Sequence, residues 1–295
     1  MPDRRQRSPI LDYAARPASP RVADRPIVTL TTDFGLRDHY VAAMKAVLIR
    51  ECPAARLIDV THAVPRHDIL CASITLERAI DGFPKNTVHL AVVDPGVGTE
   101  RRLLVARIKD QFVVAPDNGL ITWAWRVHRP TPGQSAGSRA TEASPRLSSP
   151  EVGEIAKVFK GASSTFHGRD ILSPIAGMLA RGVPMSELTR SIDDPVLLDH
   201  LEPASSDDSR GRVIHIDHFG NATTNIRQDA LREKPSVSVR VNRRSIGRIR
   251  RTYWDVAPGK PLALIGSSGL LEIAVRDGSA HDDLKVRVGD EVVLR

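Results

Sequence analysis

The chain has 295 residues, of which 41% are hydrophobic and 26% are charged, a composition typical of a globular protein with one large domain or two medium ones. No apolar run approaches the roughly 18 residues that a membrane-spanning helix needs, and no apolar secretory segment is visible, so we expect a cytoplasmic protein with no membrane partner. The formal net charge of +7 would suit a nucleic-acid partner, but arginines are spread along the whole chain and aromatic residues make up only 4%, so we expect none.

The region 26–204 alternates apolar strands with helical patterns, which is typical of an α/β domain. Asp38 and Asp68 each precede a helical pattern and are predicted helix caps, and Asp170 is predicted to open a further helix that ends at Gly182. Because strands and helices alternate, we predict a mostly parallel sheet sandwiched by helices. The predicted strands are 27–32, 57–60, 88–93, 103–108 and 112–115, the last two forming a hairpin.

Three compositionally biased stretches mark the domain organisation. Residues 1–25 are rich in Arg, Pro, Ala and Ser and predict a disordered tail, residues 129–150 predict a long surface loop, and residues 205–211 predict an interdomain linker. After the linker the pattern changes to short strands separated by turns, so 212–295 predict a smaller C-terminal all-β barrel domain. Its predicted strands are 213–216, 237–241, 262–265, 271–275 and 291–294.

Acidic residues follow three of the predicted strands. Asp33, Asp94 and Asp117 each come at or just after a strand end, and ligands of open α/β sheets bind beyond the carboxyl ends of the strands. Asp117 begins an Asp-Asn-Gly segment, which turn chemistry explains as well as ligand binding does. The glycine-rich segment 94–99 has neither the P-loop nor the dinucleotide spacing, so we do not predict a phosphate cradle of known type there.

Two further segments combine side chains suited to chemistry or binding. His167 lies in a glycine-containing loop and is a candidate proton handler near neutral pH, whereas Asp170 is better explained as a helix cap. Asp217, Phe219 and Asn221 place a carboxylate, an aromatic face and an amide side by side, which suits a nucleoside or an amino acid. A Gly-Ser-Ser-Gly segment further on offers two hydroxyls but by itself is more typical of a hairpin turn.

Seven motifs follow one another in a fixed order along the chain. They are TTDFG at 31–35, DVTH at 59–62, VVDPGVG at 92–98, PDNG at 116–119, TFHGRD at 165–170, FGN at 219–221 with TN at 224–225, and GSSG at 266–269. The ordered set resembles the S-adenosyl-L-methionine hydroxide adenosyltransferases, relatives of the fluorinase and the chlorinase. The resemblance begins at residue 27 and leaves out the tail and the 129–150 loop.

The resemblance implies an N-terminal α/β domain, a C-terminal barrel and a homotrimer with active sites between the N-terminal domain of one subunit and the barrel of its neighbour. It also implies hydrolysis of S-adenosyl-L-methionine to adenosine and methionine, without a cofactor and without a metal, so we expect chelators to have no effect. Halide-using relatives have Tyr where this chain has Asp94, which favours water as the nucleophile. A halide-using enzyme and a non-catalytic nucleoside-binding module are the alternatives.

The resemblance also assigns roles to individual residues. We expect His167 and Asp94 to orient and deprotonate one water molecule, and Arg101 to hold the carboxylate and stabilise hydroxide. Asp33 would accept the ribose hydroxyls, while His67 stands where the halide enzymes have Trp. The remaining expected contacts are Asp38, Asp217, Ser267 and Ser268 at the methionine end, and Phe219, Asn221 and Tyr253 at the adenine.

Overall fold

The computed structural model describes residues 25–129, 150–156, 161–204, 209–231 and 237–295. The predicted tail, apart from Arg25, and the predicted 129–150 loop, apart from its end residues, lie outside the described residues. The same holds for 205–208 within the predicted linker, whereas Arg210 and Gly211 already belong to the first strand of the second domain.

The N-terminal domain contains a mixed sheet with helices on both faces, as the predicted fold class requires. Its strands in the described residues are β1 (Ile27–Thr32), β2 (Arg56–Thr61), β3 (Val88–Val92), β4 (Leu103–Ile108), β5 (Gln111–Pro116), β6 (Glu151–Ile155) and β7 (Thr189–Ser191). Its helices are α1 (Tyr40–Glu51), α2 (Ile69–Gly82), α3 (Thr122–His128), α4 (Ser173–Ala180) and α5 (Met185–Leu188). The strand order is β2-β1-β3-β5-β4-β6-β7, with parallel pairs from β2 to β5 and antiparallel pairs from β5 to β7.

Both faces of this sheet are buried because its central strands are apolar almost throughout. Helices α1 and α4 cover one face, where Met44 and Ile175 pack into the same core as Leu90. Helices α2 and α3 cover the other face, where Leu76 and Ala124 join a second core. The predicted sandwich of helices is therefore confirmed. No helix within the described ranges is long and apolar enough to cross a membrane.

The second domain is a closed barrel, which confirms the predicted all-β domain. Its strands in the described residues are β8 (Arg210–Ile216), β9 (Ala222–Arg227), β10 (Ser238–Val241), β11 (Arg244–Arg250), β12 (Pro261–Ile265), β13 (Leu270–Val275) and β14 (Glu291–Leu294), and α6 (Ala280–Leu284) precedes β14. The order around the barrel is β10-β11-β12-β13-β9-β8-β14. Val239, Leu271 and Val292 fill its interior, and closure leaves no exposed sheet edge.

Strand β9 differs from the prediction because its polar side chains are buried and bonded to the barrel. Thr224 Oγ1 donates to the carbonyl oxygen of Leu271 at 2.8 Å, and Asn225 Oδ1 accepts from the backbone N–H of Arg212 at 2.7 Å. The sequence pattern treats such residues as polar loop or ligand contacts. In the folded chain they support the barrel wall.

The start of α1 also differs from the prediction. Its N-cap is His39, whose side chain makes no capping hydrogen bond, and Asp38 lies exposed one residue earlier. His39 already has helical φ and ψ, so the carboxylate of Asp38 is out of position to cap. The prediction for α2 is confirmed, because Asp68 accepts a hydrogen bond from the backbone N–H of Cys71 at 2.8 Å.

The two domains are joined by an apolar contact and a polar one. The buried residues of the apolar contact, which come from both domains and the segment between them, are Ile74, Trp123, Leu201, Ile214 and Leu270. Beside them, Arg78 of α2 donates to Thr223 Oγ1 of β9 at 3.1 Å. These contacts set the orientation of the barrel against α2 and α3.

Candidate active site

Asp94, Arg101 and His167 lie together just beyond the carboxyl end of β3. Arg101 Nε donates to Asp94 Oδ1 at 2.6 Å and Arg101 Nη2 donates to Asp94 Oδ2, so the pair is bidentate. The same Nη2 lies 3.1 Å from His167 Nδ1. The side chains of Arg101 and Asp94 are only 10% and 5% exposed, and shielding from water strengthens a charge-assisted pair.

Two glycines allow the loop after β3 to touch the segment that carries His167. Gly98 has a φ of +85°, and a Cβ there would lie 2.6 Å from the carbonyl oxygen of Ser164. Gly168 lies against the end of β3, where a Cβ would come within 3.3 Å of Val92 Cγ1. A larger residue at either position would push the two loops apart.

Arg101 has one donor that the cluster does not use. Its Nη1 is buried and has no hydrogen-bond partner within the described part of the chain. A buried N–H without a partner costs about 1–3 kcal/mol. An oxygen ligand held at this atom would remove that cost, so Nη1 marks where such a ligand fits.

The contact with Arg101 also determines the hydrogen-bonding role of His167. A guanidinium only donates, so Nδ1 accepts, and the neutral ring then has its proton on Nε2. Burial and the positive charge of Arg101 lower the pKa of His167, which favours this neutral ring. Nε2 is therefore a donor in this arrangement, and the expectation that His167 itself deprotonates water is revised.

Asp33 lies at the same edge of the sheet, in the turn that follows β1. Its Oδ2 accepts a hydrogen bond from the backbone N–H of His67 at 2.9 Å, and the side chain is half-buried. His67 has a φ of +64°, which points its N–H toward the carboxylate. Asp38, which is expected at the methionine end, lies in the exposed segment before α1.

The segment after His167 is a π-helix, Gly168–Leu172, that continues into α4. Asp170 lies inside this π-helix and does not cap it, so the predicted cap is wrong. Its Oδ2 accepts from the backbone N–H of Ser163 at 2.9 Å, and its Oδ1 accepts from Arg169 Nε at 2.6 Å. Asp170 therefore holds the loop that precedes His167, and π turns of this kind are frequent at functional sites.

Asp117, at the end of the neighbouring strand β5, has a structural role. Its carboxylate is buried, accepts from Arg102 Nε at 2.8 Å and accepts from the backbone N–H of Val196 at 2.8 Å. Arg102 also bonds Asp194 at 2.7 Å. The side-chain bond within this turn comes from Asn118, whose Oδ1 accepts from the backbone N–H of Leu120, whereas Asp117 forms a buried ion pair outside the turn.

The three residues expected at the adenine line one cavity on the barrel. Its volume is about 420 Å³, and its lining residues are Phe219, Asn221, Tyr253, Trp254, Val275, Arg276, Asp277 and Gly278. Phe219 and Trp254 are 74% and 77% exposed. The guanidinium of Arg276 stacks 3.9 Å from the centroid of the Trp254 ring. Open aromatic faces beside a cation suit a flat, electron-rich ligand.

Two acidic residues outside the lining bond residues that line this cavity. Asp217 Oδ1 accepts from the backbone N–H groups of Phe219 and Asn221, each at 2.9 Å, so it holds the cavity loop. Glu272, which no motif includes, accepts from the hydroxyl of Tyr253 at 2.5 Å. Burial raises the pKa of Glu272 and of Tyr253. A single acid in the otherwise apolar strand β13 is the sequence signal that could have identified Glu272.

The serines expected at the methionine end lie in the exposed turn between β12 and β13. Ser268 lines a separate cavity of about 360 Å³ that lies between the barrel and helices α2 and α3. Ser267 is exposed in the same turn. Within one chain, Ser268 and Phe219 therefore face different cavities.

One group among the described residues has the composition of a metal site. His128 Nε2 lies 3.8 Å from Glu77 Oε1 and 3.7 Å from Asp81 Oδ1, in the cavity beside α2 and α3. However, Lys109 Nζ already bonds Asp81 at 2.5 Å, and burial raises the pKa of Glu77 to about 7. Asp81 is thus already paired with a cationic side chain, and we assign the group to the domain interface.

Two family models match the chain over most of its length. Residues 28–189 match the SAM hydroxide adenosyltransferase N-terminal domain, and residues 211–293 match the corresponding C-terminal domain. The (R)-S-adenosyl-L-methionine hydrolase of Thermus thermophilus is 40% identical over 270 residues, covering 92% of this chain and 99% of the relative. The hydrolase of the same name from Salinispora tropica is 37% identical over 276 residues, covering 92% and 98%. The crystal structure of an uncharacterized conserved protein from Thermotoga maritima matches with a TM-score of 0.78 and 36% identity, covering 91% of this chain and 100% of that chain.

Proposed function

The chain belongs to the SAM hydroxide adenosyltransferase family, and from that premise we propose that it hydrolyses S-adenosyl-L-methionine to adenosine and methionine. The observation that carries the proposal is the cluster of Asp94, Arg101 and His167 beyond β3. In the reaction a water oxygen bonds C5′, the C5′–S electron pair leaves on sulfur as methionine, and one proton is released. The sulfonium loses its positive charge as the bond breaks, so the leaving group needs no acid.

The cluster supplies what this displacement requires, which is a positioned oxygen nucleophile and a proton acceptor. The Asp94 carboxylate accepts a hydrogen bond from the water molecule, because a carboxylate can only accept. Arg101 Nη1 and His167 Nε2 donate to the oxygen as it gains hydroxide character. Such preorganised donors hold the oxygen in place while Asp94 takes its proton. Holding water in line with C5′ adds the advantage of proximity.

An oxygen nucleophile fits this cluster better than a halide. Water can donate a hydrogen bond to the Asp94 carboxylate while it accepts from Arg101, whereas a halide can only accept. The relatives from Thermus and Salinispora are named for the (R) form of the substrate, so we propose the (R) sulfonium epimer as the preferred substrate here.

We further propose that the complete site forms in a homotrimer, with the N-terminal domain of one subunit facing the barrel of the next. The exposed rings of Phe219 and Trp254 support this arrangement, because large apolar faces on a surface mark a binding partner. In that arrangement Asp33 accepts the ribose hydroxyls while the adenine stacks on the neighbouring barrel. The free thiols of Cys52 and Cys71 are in keeping with a cytoplasmic location.

Incubation with each sulfonium epimer of S-adenosyl-L-methionine, followed by chromatography, tests the proposal. We expect adenosine and methionine in equal amounts, formed faster from the (R) epimer. Repeating the incubation in high chloride should give no 5′-chloro-5′-deoxyadenosine. Binding of adenosine without turnover of either epimer would instead support the nucleoside-binding alternative.

A further inference from the structure

The DVTH motif at 59–62 has no part in the proposed chemistry, yet its side chains contact the turn that carries Asp33. His62 Nδ1 lies 2.8 Å from Thr32 Oγ1, at the end of β1. On the other side of the ring, His62 Nε2 lies 3.0 Å from Asp59 Oδ1, in a geometry short of a regular hydrogen bond. Lys45 Nζ donates to Asp59 Oδ2 at 2.6 Å. Four side chains thus form a continuous line that ends next to Asp33.

The direction of each hydrogen bond follows from the chemistry of the partners. A carboxylate only accepts, so the N–H of the His62 ring belongs on Nε2, and we assign Nδ1 as the acceptor of the Thr32 hydroxyl. With its proton directed to the ring, Thr32 Oγ1 accepts from the backbone N–H of Phe34 at 3.2 Å. Burial acts to raise the pKa of Asp59, but the neighbouring Lys45 ammonium and His62 ring lower it overall, which keeps the carboxylate charged.

Further bonds hold the same turn against the segment after β2. The backbone N–H of Gly35 donates to the carbonyl oxygen of His62 at 2.8 Å, and the N–H of His67 donates to Asp33 Oδ2 at 2.9 Å. Residues on both sides of Asp33 therefore contact His62: the Thr32 side chain contacts its ring, and the Gly35 backbone N–H donates to its carbonyl oxygen. The orientation of the Asp33 carboxylate depends on these bonds.

We propose that His62 is a positioning residue for ribose binding, acting through the Thr32 hydroxyl on the turn that presents Asp33. The inference rests on the proposed function, in which Asp33 accepts the ribose hydroxyls. His62 does not touch the substrate itself, because its side chain is only 3% exposed. Its effect is to hold the carboxylate in the one orientation that accepts both hydroxyls of the diol.

The chain offers a matched control for this proposal. Thr29, three residues earlier in β1, also bonds a buried histidine, with Thr29 Oγ1 2.7 Å from His89 Nδ1. His89 Nε2 in turn lies 2.8 Å from Gln111 Oε1, and this second line ends in the core. Thr29→Val and Thr32→Val therefore remove the same kind of buried hydrogen bond from the same strand, but only the second is next to Asp33.

The test is calorimetric binding of adenosine and of 2′,3′-dideoxyadenosine, which lacks both ribose hydroxyls. We expect Thr32→Val to weaken adenosine binding about tenfold and dideoxyadenosine binding less than about twofold. Only adenosine has the ribose hydroxyls that hydrogen-bond the Asp33 carboxylate. Thr32→Ser restores the hydroxyl and should recover most of the adenosine affinity. His62→Leu should behave like Thr32→Val, and Thr29→Val should leave the ratio of the two affinities unchanged. In turnover assays the loss should appear in KM, whereas a loss of folded protein would lower kcat alone.

Equal weakening of both ligands by Thr32→Val, or the same change of ratio in Thr29→Val, would overturn the positioning role and leave the proposed function intact. A wild-type protein that neither binds adenosine nor hydrolyses either epimer of S-adenosyl-L-methionine would overturn the proposed function and this inference together. Circular dichroism of each variant shows whether it is folded, and His62→Asn provides a second substitution at the ring. Its amide oxygen can replace Nδ1 as the acceptor, so we expect a smaller loss than for His62→Leu.

Discussion

The two halves of the candidate site differ in how far a single chain organises them. Asp94 and Arg101 are 5% and 10% exposed and already bonded to each other, and Arg101 also contacts His167. Phe219 and Trp254 are 74% and 77% exposed and line an open cavity. The proposed reacting groups are thus held by the N-terminal domain, whereas the surface proposed for the adenine stays open within one chain. The proposed function therefore predicts that variants in the two domains affect reaction and recognition separately.

The largest expected effect is on kcat, from a substitution in the cluster of Asp94, Arg101 and His167. Asp94→Asn keeps the shape of the side chain but removes the proton acceptor and leaves Arg101 without its counter-charge, so kcat should fall about 10³-fold. The measurement is adenosine release under saturating substrate. Asp117→Asn is the matched control, since it breaks a similar buried pair with Arg102 at the next strand end. It should lower Tm and change kcat of the folded protein by less than about threefold.

Mixed trimers test whether the two halves come from different subunits. Asp94→Asn disrupts only the part of the proposed site in the N-terminal domain, and the double variant Phe219→Ala/Asn221→Ala disrupts only the part on the barrel. If each site joins one subunit to the next around a three-fold ring, every mixed trimer has one intact site, so with substrate well below its KM we expect about one-third of wild-type activity. Co-expression with two different tags and two-step purification isolates these trimers. Activity no higher than that of the parent variants would place each site within one chain.

A smaller effect, on KM, is expected from a substitution in the barrel cavity alone. Phe219→Ala removes one stacking face and should raise KM about tenfold with little change in kcat, because stacking on adenine is the same before and during the reaction. Val288→Ala is the control, as Val288 is also an exposed apolar residue of the barrel but does not line the cavity. A fall in kcat with unchanged KM would contradict the division between recognition and reaction.

The fold could be predicted from the sequence wherever side-chain pattern and burial agree. Strands β1 and β3 are apolar runs that end in buried cores, and both were predicted almost to the residue. Strand β9 was not, since Thr224 and Asn225 are buried and satisfied by partners distant in sequence, Leu271 and Arg212. A local pattern carries no information about such partners.

Partners distant in sequence also limited the prediction of the site. Asp33, Asp94 and His167 could be selected from their places after strands and in loops, but Arg101 was selected by resemblance only. The hydrogen-bonding role of His167 depends on a 3.1 Å contact between loops, which no spacing in the sequence reveals. Glu272 was missed because its partner, the Tyr253 hydroxyl, comes from another turn of the barrel.

The smallest expected effect is on the pH dependence of kcat/KM, and it tests the contact between His167 and Arg101. Burial and the charge of Arg101 lower the pKa of His167, although Asp94 and Asp170 act in the opposite direction. The neutral ring is needed to accept from Arg101, so kcat/KM should be retained above this pKa and lost as pH falls through it, with a midpoint below 6.5. His167→Asn keeps an acceptor that does not titrate, so the acid limb should vanish while activity at pH 8 falls only about threefold. If the variant keeps the same acid limb as the wild type, the titrating group is not His167, and the contact with Arg101 does not control the reaction.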